Sequence, residues 1–398
     1  MSWVLTILGI VLLIVLHELG HFTVAKAVGM RVERFSLFFP PTIARIRRGE
    51  TEYAIGALPL GGYVKITGMT PEELARPSAG AAAAAILPGA AQERSPEGEH
   101  EAVGELDAEI TRRAYYNQAP WKRVVVILAG PAVNILIAFL LFWGILYAGN
   151  LDGATAVGNL DQSTQTVVAT TAVQSILPGE PAQGVLRPGD RIVAVGGRPA
   201  TVADVQSAIE GDRCSGTQVA GCRATAPVRL TLRRGARDVP VSVYPRYEPK
   251  VKRMLIGFDF GEQARSYGAL AAAREAVAGM WHITWQTLTG FAHALESSKA
   301  RHELSSIVGI TQAAHATVVA GAGFALVALG FISLILAVIN LFPFLPLDGG
   351  HILWALAEKV RGRRISLVAM YRFSSVGIVL LLFLVINGFS NDIGRLGG

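Results

Sequence analysis

Residues 17–21 of this chain read His-Glu-Leu-Gly-His, and they interrupt a run from Trp3 to about Val28 that is otherwise almost wholly apolar. On a helix, His17 and His21 fall one turn apart on the same face, close enough to hold one metal ion between them. Glu18, one residue on, can reach a water activated by that metal and serve as its general base. With eight histidines in 398 residues, a chance copy of the pattern is expected on the order of 0.01 times. The surroundings add weight. A charged side chain in a membrane helix costs roughly 2.5–3.5 kcal/mol on insertion scales, so three ionisable groups together demand a compensating partner, and a metal ion is one.

A hydrolytic zinc centre needs a third protein ligand and an open position. The soluble classes that share the first pattern do not supply it here. Val24, Ala27 and Arg31 do not fit an extended three-histidine motif, and no Glu lies between Glu33 and Glu50. The candidate is distant, in "NLFPFLPLDGGH", residues 340–351, where Asp348 is the only acidic residue between Glu303 and Glu358. Pro343 and Pro346 unwind the helix before it, and Gly349 and Gly350 allow close backbone approach. Alone, an Asp before Gly-Gly reads as a turn. Paired with the first motif it reads as the third ligand to Zn2+.

These residues need a membrane scaffold, and the composition provides one: the chain is 51% hydrophobic with a mean hydropathy of +0.41. Four segments meet or approach the length of a span, namely 1–30, 124–147, 323–350 and 374–389. The reading is therefore a polytopic α-helical membrane protein of about four transmembrane helices. A cleavable secretory signal does not fit, because no Lys or Arg precedes the first apolar run and no small-residue cleavage site ends it. The net charge of +6 is modest, and no arginine-rich face with interleaved aromatics points to nucleic acid.

Basic residues set the expected orientation. Lys26, Arg31 and Arg34 follow the first span, Arg112, Arg113, Lys122 and Arg123 precede the second, and Lys359, Arg361, Arg363, Arg364 and Arg372 separate the last two. No basic residue occurs between Val124 and Arg187. Both termini are thus expected outside the cytoplasm, with His17, His21 and Asp348 towards the cytoplasmic ends of their helices, where they can meet.

The cytoplasmic loop 31–123 contains "TEYAIGALPLGGYVKI", residues 51–66, which alternates with Gly and Pro breaks and reads as short strands or a hairpin. It also contains an Ala/Gly/Pro/Glu-rich linker at 77–104. Residues 165–248 read as an extracytoplasmic α+β module. "RIVAVGG" forms a strand there, Thr201 caps a helix reaching about Glu210, and "PVRLTLRRG" and "DVPVSVY" form a strand pair. The stretch "PGEPAQGVLRPGDRIVAVGGRPATVADVQSAI" resembles a PDZ domain of the bacterial protease type, which implies binding of an extended segment or chain end by strand addition; a small β-domain acting as a spacer or size filter is the other reading. Cys214 and Cys222 lie close enough to form one bridge or to remain two thiols. Residues 268–298 carry an apolar helical stripe with Trp281, Trp285 and Phe291, suited either to the membrane interface or to packing on the module.

Together these features resemble the site-2 proteases, intramembrane zinc metalloproteases of regulated intramembrane proteolysis, in their bacterial PDZ-containing group. The resemblance rests on His-Glu-x-x-His in the first span, Gly130-Pro131-x-x-Asn134 in the second, one PDZ-like module, and Asn340-x-x-Pro343 through Leu347-Asp348-Gly349 in the third. It implies one Zn2+ ion held by His17, His21 and Asp348, with Glu18 activating water. It implies that Asn340 clamps unwound substrate backbone, although a polar residue bridging membrane helices is the plainer reading. It further implies that Gly130, Pro131 and Asn134 shape the helix beside the site, and that the 51–66 strands, with Gly61 and Gly62, form a membrane-associated hairpin that pairs with the substrate. The implied partners are a single-pass membrane protein, an upstream site-1-type protease acting on it, and membrane lipid, in a bacterial plasma membrane. A catalytically silent membrane PDZ adaptor would not need the complete His-Glu-His-Asp set. A metal transporter would carry ionisable groups along several spans, whereas the second and fourth offer only Asn134 and Asn387 as strong polar groups.

Overall fold

A computed structural model of the chain describes residues 2–69, 108–160, 166–211, 214, 219–297, 307–363 and 365–396, and the 77–104 linker lies outside them. The chain divides into two units, residues 1–144 with 273–398, and residues 145–272.

The first apolar run is helix α1 (Ser2–Ala27). Its buried residues, Thr6, Leu13, His17, Gly20, His21 and Ala25, recur at helical spacing and form one stripe. Two strands follow, β1 (Val32–Arg48) and β2 (Thr51–Ile66), paired antiparallel. Segment 51–66 is not a hairpin of its own but two short stretches, 52–55 and 62–65, that each pair with residues 34–37 of the partner arm "VERFSLFFPPTIARIRR". Its Pro40-Pro41 pair and basic end obscure a strand pattern, because proline cannot donate to a ladder. The register is folded over. Arg34 lies beside both Glu52 and Lys65, and Ser36 beside both Ala54 and Tyr63, so residues 34–37 are flanked on two sides. Among the described residues no strand covers the far side of segment 62–66.

Helix α2 (Pro120–Ala148) contains the second apolar run and keeps Pro131 in its interior. It crosses α1 closely where small residues meet: a Cβ on Gly20 would stand 2.7 Å from the Ala129 carbonyl oxygen.

In the second unit, α3 (Leu151–Leu160) precedes strands β3 (Val167–Ile176), β4 (Arg191–Val195) and β5 (Arg198–Pro199) and helix α4 (Val202–Gly211). Strands β6 (Val228–Arg234), β7 (Arg237–Val243), β8 (Arg246–Glu248), β9 (Arg253–Leu255) and β10 (Phe258–Ala264) follow. The main sheet runs β10-β3-β4-β6-β7, with β5 beside β4, and closes on Val173, Ile192, Val205, Leu230, Leu232 and Ile256. Thr201 caps α4 reciprocally: Asp204 N–H donates to Thr201 Oγ1 at 3.3 Å while Thr201 N–H donates to Asp204 Oδ2 at 2.8 Å. The module extends past the expected boundary at 248, because β10 returns to the sheet edge at β3, a pairing with no local signature. Cys214 and Cys222 form a disulfide with Cα atoms 6.1 Å apart.

Asp190, only 1% exposed, anchors this unit. Arg234 Nε donates to Oδ1 at 2.8 Å, a second guanidinium nitrogen donates to Oδ2 at 2.6 Å, and the Arg187 N–H donates to Oδ2 at 2.9 Å. The Arg234 hydrogen bonds hold the Asp190 pKa below the ordinary value. A depressed folded-state pKa means that this stabilisation is complete above the unfolded value and fades as pH falls through the folded one, at the acid end of the range. Asp190→Asn is expected to destabilise the unit near neutral pH, because it removes the charge from both hydrogen bonds that Arg234 makes to this carboxylate. Faster amide exchange in β4 and β6 of the full chain, with the membrane helices unaffected, is the readout; unchanged exchange would contradict it.

The remaining helices are α5 (Ala269–Glu296), α6 (Ile307–Ala320), α7 (Ala322–Asn340), α8 (Asp348–Arg361) and α9 (Leu367–Leu396). On α5, Trp281 and Trp285 of the expected stripe are 69% and 57% exposed, while the buried residues Ala276, Met280 and Ile283 lie on the opposite face. The third span differs from the expected 323–350. It stops at Asn340, residues 341–347 are irregular around Pro343 and Pro346, and Asp348 opens a separate helix. Among the described residues α1, α2 and α7 are long and apolar enough to cross a membrane, while α9 carries a shorter apolar stretch at Val368–Val379.

Candidate metal centre

Four segments converge on His17 and His21. Each histidine turns one ring nitrogen to a fixed partner on α2. His21 Nδ1 donates to the Val126 carbonyl oxygen at 2.9 Å, and His17 Nδ1 lies 3.1 Å from the side-chain amide of Asn134. That amide is buried, and its oxygen lacks a partner as placed. Turned by half a rotation, the oxygen accepts from His17 Nδ1–H, which satisfies both groups and leaves Nε2 as the free donor atom. Ser333 of α7 donates to the Asn134 carbonyl oxygen at 2.9 Å and ties the two helices together at this level.

The two free Nε2 atoms are 3.2 Å apart, and Asp348 Oδ2 lies 3.3 Å from each. These three groups are a cluster suited to a metal ion among the described residues. Asp348 Oδ2 is buried without a hydrogen-bond partner, a costly state for a carboxylate oxygen unless a cation completes it. Zinc bound at about 2.0–2.2 Å in a tetrahedron has ligand-to-ligand edges of about 3.3–3.6 Å. The observed triangle matches one face of that tetrahedron, so these residues fit zinc with the fourth position left open.

Gly130 makes the triangle possible. A Cβ there would stand 2.7 Å from His21 Cε1 and 2.8 Å from His17 Cε1, so any side chain would displace the imidazoles. Pro131 follows it, buried in α2. Glu18 lies beside the pair, and the hairpin reaches it directly: a Cβ on Gly62 would be 3.0 Å from Glu18 Cγ and from the Ser36 carbonyl oxygen. Gly61, with φ of +149°, passes the Phe39 ring. The Asn340 amide is 3.5 Å from His17 Nε2, so the last residue of α7 borders the same space. Every site residue expected from the sequence therefore lies in or beside one locus. The Val126 carbonyl and Ser333 belong to it too. Neither has a sequence signal, since a backbone carbonyl has none and a serine in an apolar run is common.

Comparison with known proteins identifies the family. Peptidase family M50 matches residues 5–384. The zinc metalloprotease Rip1 of Mycobacterium tuberculosis is 31% identical over 387 residues, covering 90% of this chain and 86% of its own. Rip1 of Mycolicibacterium smegmatis is 31% identical over 396 residues, with 90% and 86% covered. Among solved structures, the second domain of the listeria protein Lin2157 aligns with 25% of this chain and 89% of its own at 17% identity, with a TM-score of 0.19, too low to establish a common fold. With nearly the full length matched, the chain belongs to peptidase family M50 and is a membrane zinc metallopeptidase of the site-2 type.

Proposed function

We propose that this peptidase cuts a single-pass membrane protein within or beside its transmembrane segment, after another protease has trimmed the substrate, in transmembrane signalling such as anti-sigma factor release or in signal-peptide clearance. The observation that carries the reading is the position of the site: His17, Glu18 and His21 lie within the apolar helix α1, Asp348 meets them from the start of α8, and Gly62 of the hairpin lies against Glu18.

In this reading His17 Nε2, His21 Nε2 and Asp348 Oδ2 hold the ion. When bound, zinc supplies Lewis acidity that polarises the scissile carbonyl and lowers the pKa of water. Glu18 takes a proton from the attacking water and delivers it to the amide nitrogen as the C–N bond breaks, so water is divided between the new carboxyl and amine. Asn134 and the Val126 carbonyl keep both imidazoles in the tautomer that presents Nε2. Asn340 donates to substrate backbone. Residues 62–66 pair with the unwound substrate, whose bare amide groups would each cost several kcal/mol in lipid.

The second unit is read as PDZ-like, taking an extended segment or chain end. It has a cleft of about 270 Å³ bordered by Gln206 and Ile209 of α4 and by Phe258 and Phe260 of β10. Loop charges favour both termini and this unit outside the cytoplasm and the metal site towards the cytoplasmic face of a bacterial plasma membrane.

The test reconstitutes the full chain with a single-span substrate, either intact or trimmed to a short outer stub, and maps products by mass spectrometry. Cuts within the apolar segment, faster for the trimmed form, are expected. Cuts confined to soluble loops would overturn the assignment.

A further inference from the structure

Ten residues along α8 from Asp348, Glu358 is buried, and its Oε2 lies 2.8 Å from a guanidinium nitrogen of Arg123 in the first turn of α2. Their side chains are 5% and 7% exposed. The Arg123 guanidinium also lies 5.4 Å from the Tyr116 ring and 5.9 Å from the Tyr115 ring. Those tyrosines are fastened to the end of β2, their N–H groups donating to the carbonyls of Thr67 and Gly68 at 2.9 and 3.3 Å. Glu358 Oε1 accepts from the Ile365 N–H at 3.2 Å. The pair thus joins α8, α2, the end of the hairpin and the turn that leads to α9.

A pair this dry is a poor source of stability, because desolvation offsets most of the Coulomb attraction and packed apolar residues would serve as well. Arg123 Nε is moreover buried with no hydrogen-bond partner among the described residues. What an ion pair adds over apolar packing is directionality. The elements it joins are the ones that matter for the metal: α8 begins with Asp348, and α2 presents Val126, Gly130 and Asn134 to the histidines. On a rigid helix with a rise of about 1.5 Å per residue, a fixed point roughly 15 Å from Asp348 sets the rotation and axial position of its first turn.

We propose that Arg123 and Glu358 are a positioning pair that holds α8 against α2 so that Asp348 meets His17 and His21 at ligand distance. The proposal rests on those three residues binding zinc. Neither member of the pair is among the three metal-binding groups.

The experiment uses the full chain in lipid nanodiscs, with Co2+ in place of zinc to report ligand geometry. Glu358→Gln keeps the shape and removes the charge, and Arg123→Met with Glu358→Leu removes both charges while keeping the volume. Both are expected to bind Co2+ on the order of tenfold more weakly, as for loss of an outer support of a metal ligand. A shifted visible absorption band and a lower kcat at nearly constant KM should accompany that loss. The double variant is expected to retain native helix content, so it decides the matter should Glu358→Gln fail to fold. Variants whose Co2+ affinity and spectrum match wild type would overturn the proposal alone. Wild type that takes up neither zinc nor cobalt would remove the metal reading and the proposal with it.

Discussion

Glu18→Gln is expected to lower kcat on the order of 10³-fold while zinc content stays that of wild type. The amide has nearly the shape of the carboxylate, and Glu18 is not part of the triangle formed by His17, His21 and Asp348. Its side chain is already confined against Gly62, so the replacement fits without rearrangement. What is lost is an oxygen able to take and return a proton. KM should change little, since the substrate is held by other groups. Parallel measurement of metal content by mass spectrometry and of turnover on a single-span substrate checks both halves. A zinc-loaded variant that cleaves at the wild-type rate would exclude Glu18 as the base, and a variant that loses zinc would place Glu18 among the ligands.

Asp348→Ala should abolish metal binding, with zinc affinity falling by more than about 100-fold, the upper figure for removing a mere outer support of a ligand. Two histidines alone fall short of the three protein ligands of a hydrolytic zinc site, and both are neutral donors. Without the carboxylate the ion would carry its full charge into an apolar setting. The fold should survive. Gly349 and Gly350 still pack on the backbone of the 341–345 segment, and the Arg123–Glu358 pair is untouched. Unchanged helix content together with absent zinc is therefore the expected result. Stoichiometric zinc in Asp348→Ala would show that the third ligand lies elsewhere.

The site divides by the range of the interactions that build it. His17, Glu18 and His21 are legible because helical spacing places residues four apart on one face, whatever the rest of the chain does. The apolar run of α2, the Thr201 capping of α4 and the β6–β7 pair are legible for the same reason: each pattern is complete within one short window. Asp348 was legible only by elimination, as the lone acidic residue in its region, and its place at the start of a separate helix was not. The β1 arm was hidden by its prolines and arginines, and β10 by its distance from β3.

By itself, then, the sequence determined the membrane class and the placing of His17, Glu18 and His21 together on one helix, because composition and helical periodicity are local properties. Only the tertiary structure decided that Asp348 closes a 3.3 Å triangle with both imidazoles. It alone decided that the Val126 carbonyl and Asn134 hold the rings, and that Gly62 brings the hairpin against Glu18. Those contacts join residues far apart in the chain, and several run through backbone atoms or through the absence of a side chain, which no residue pattern records.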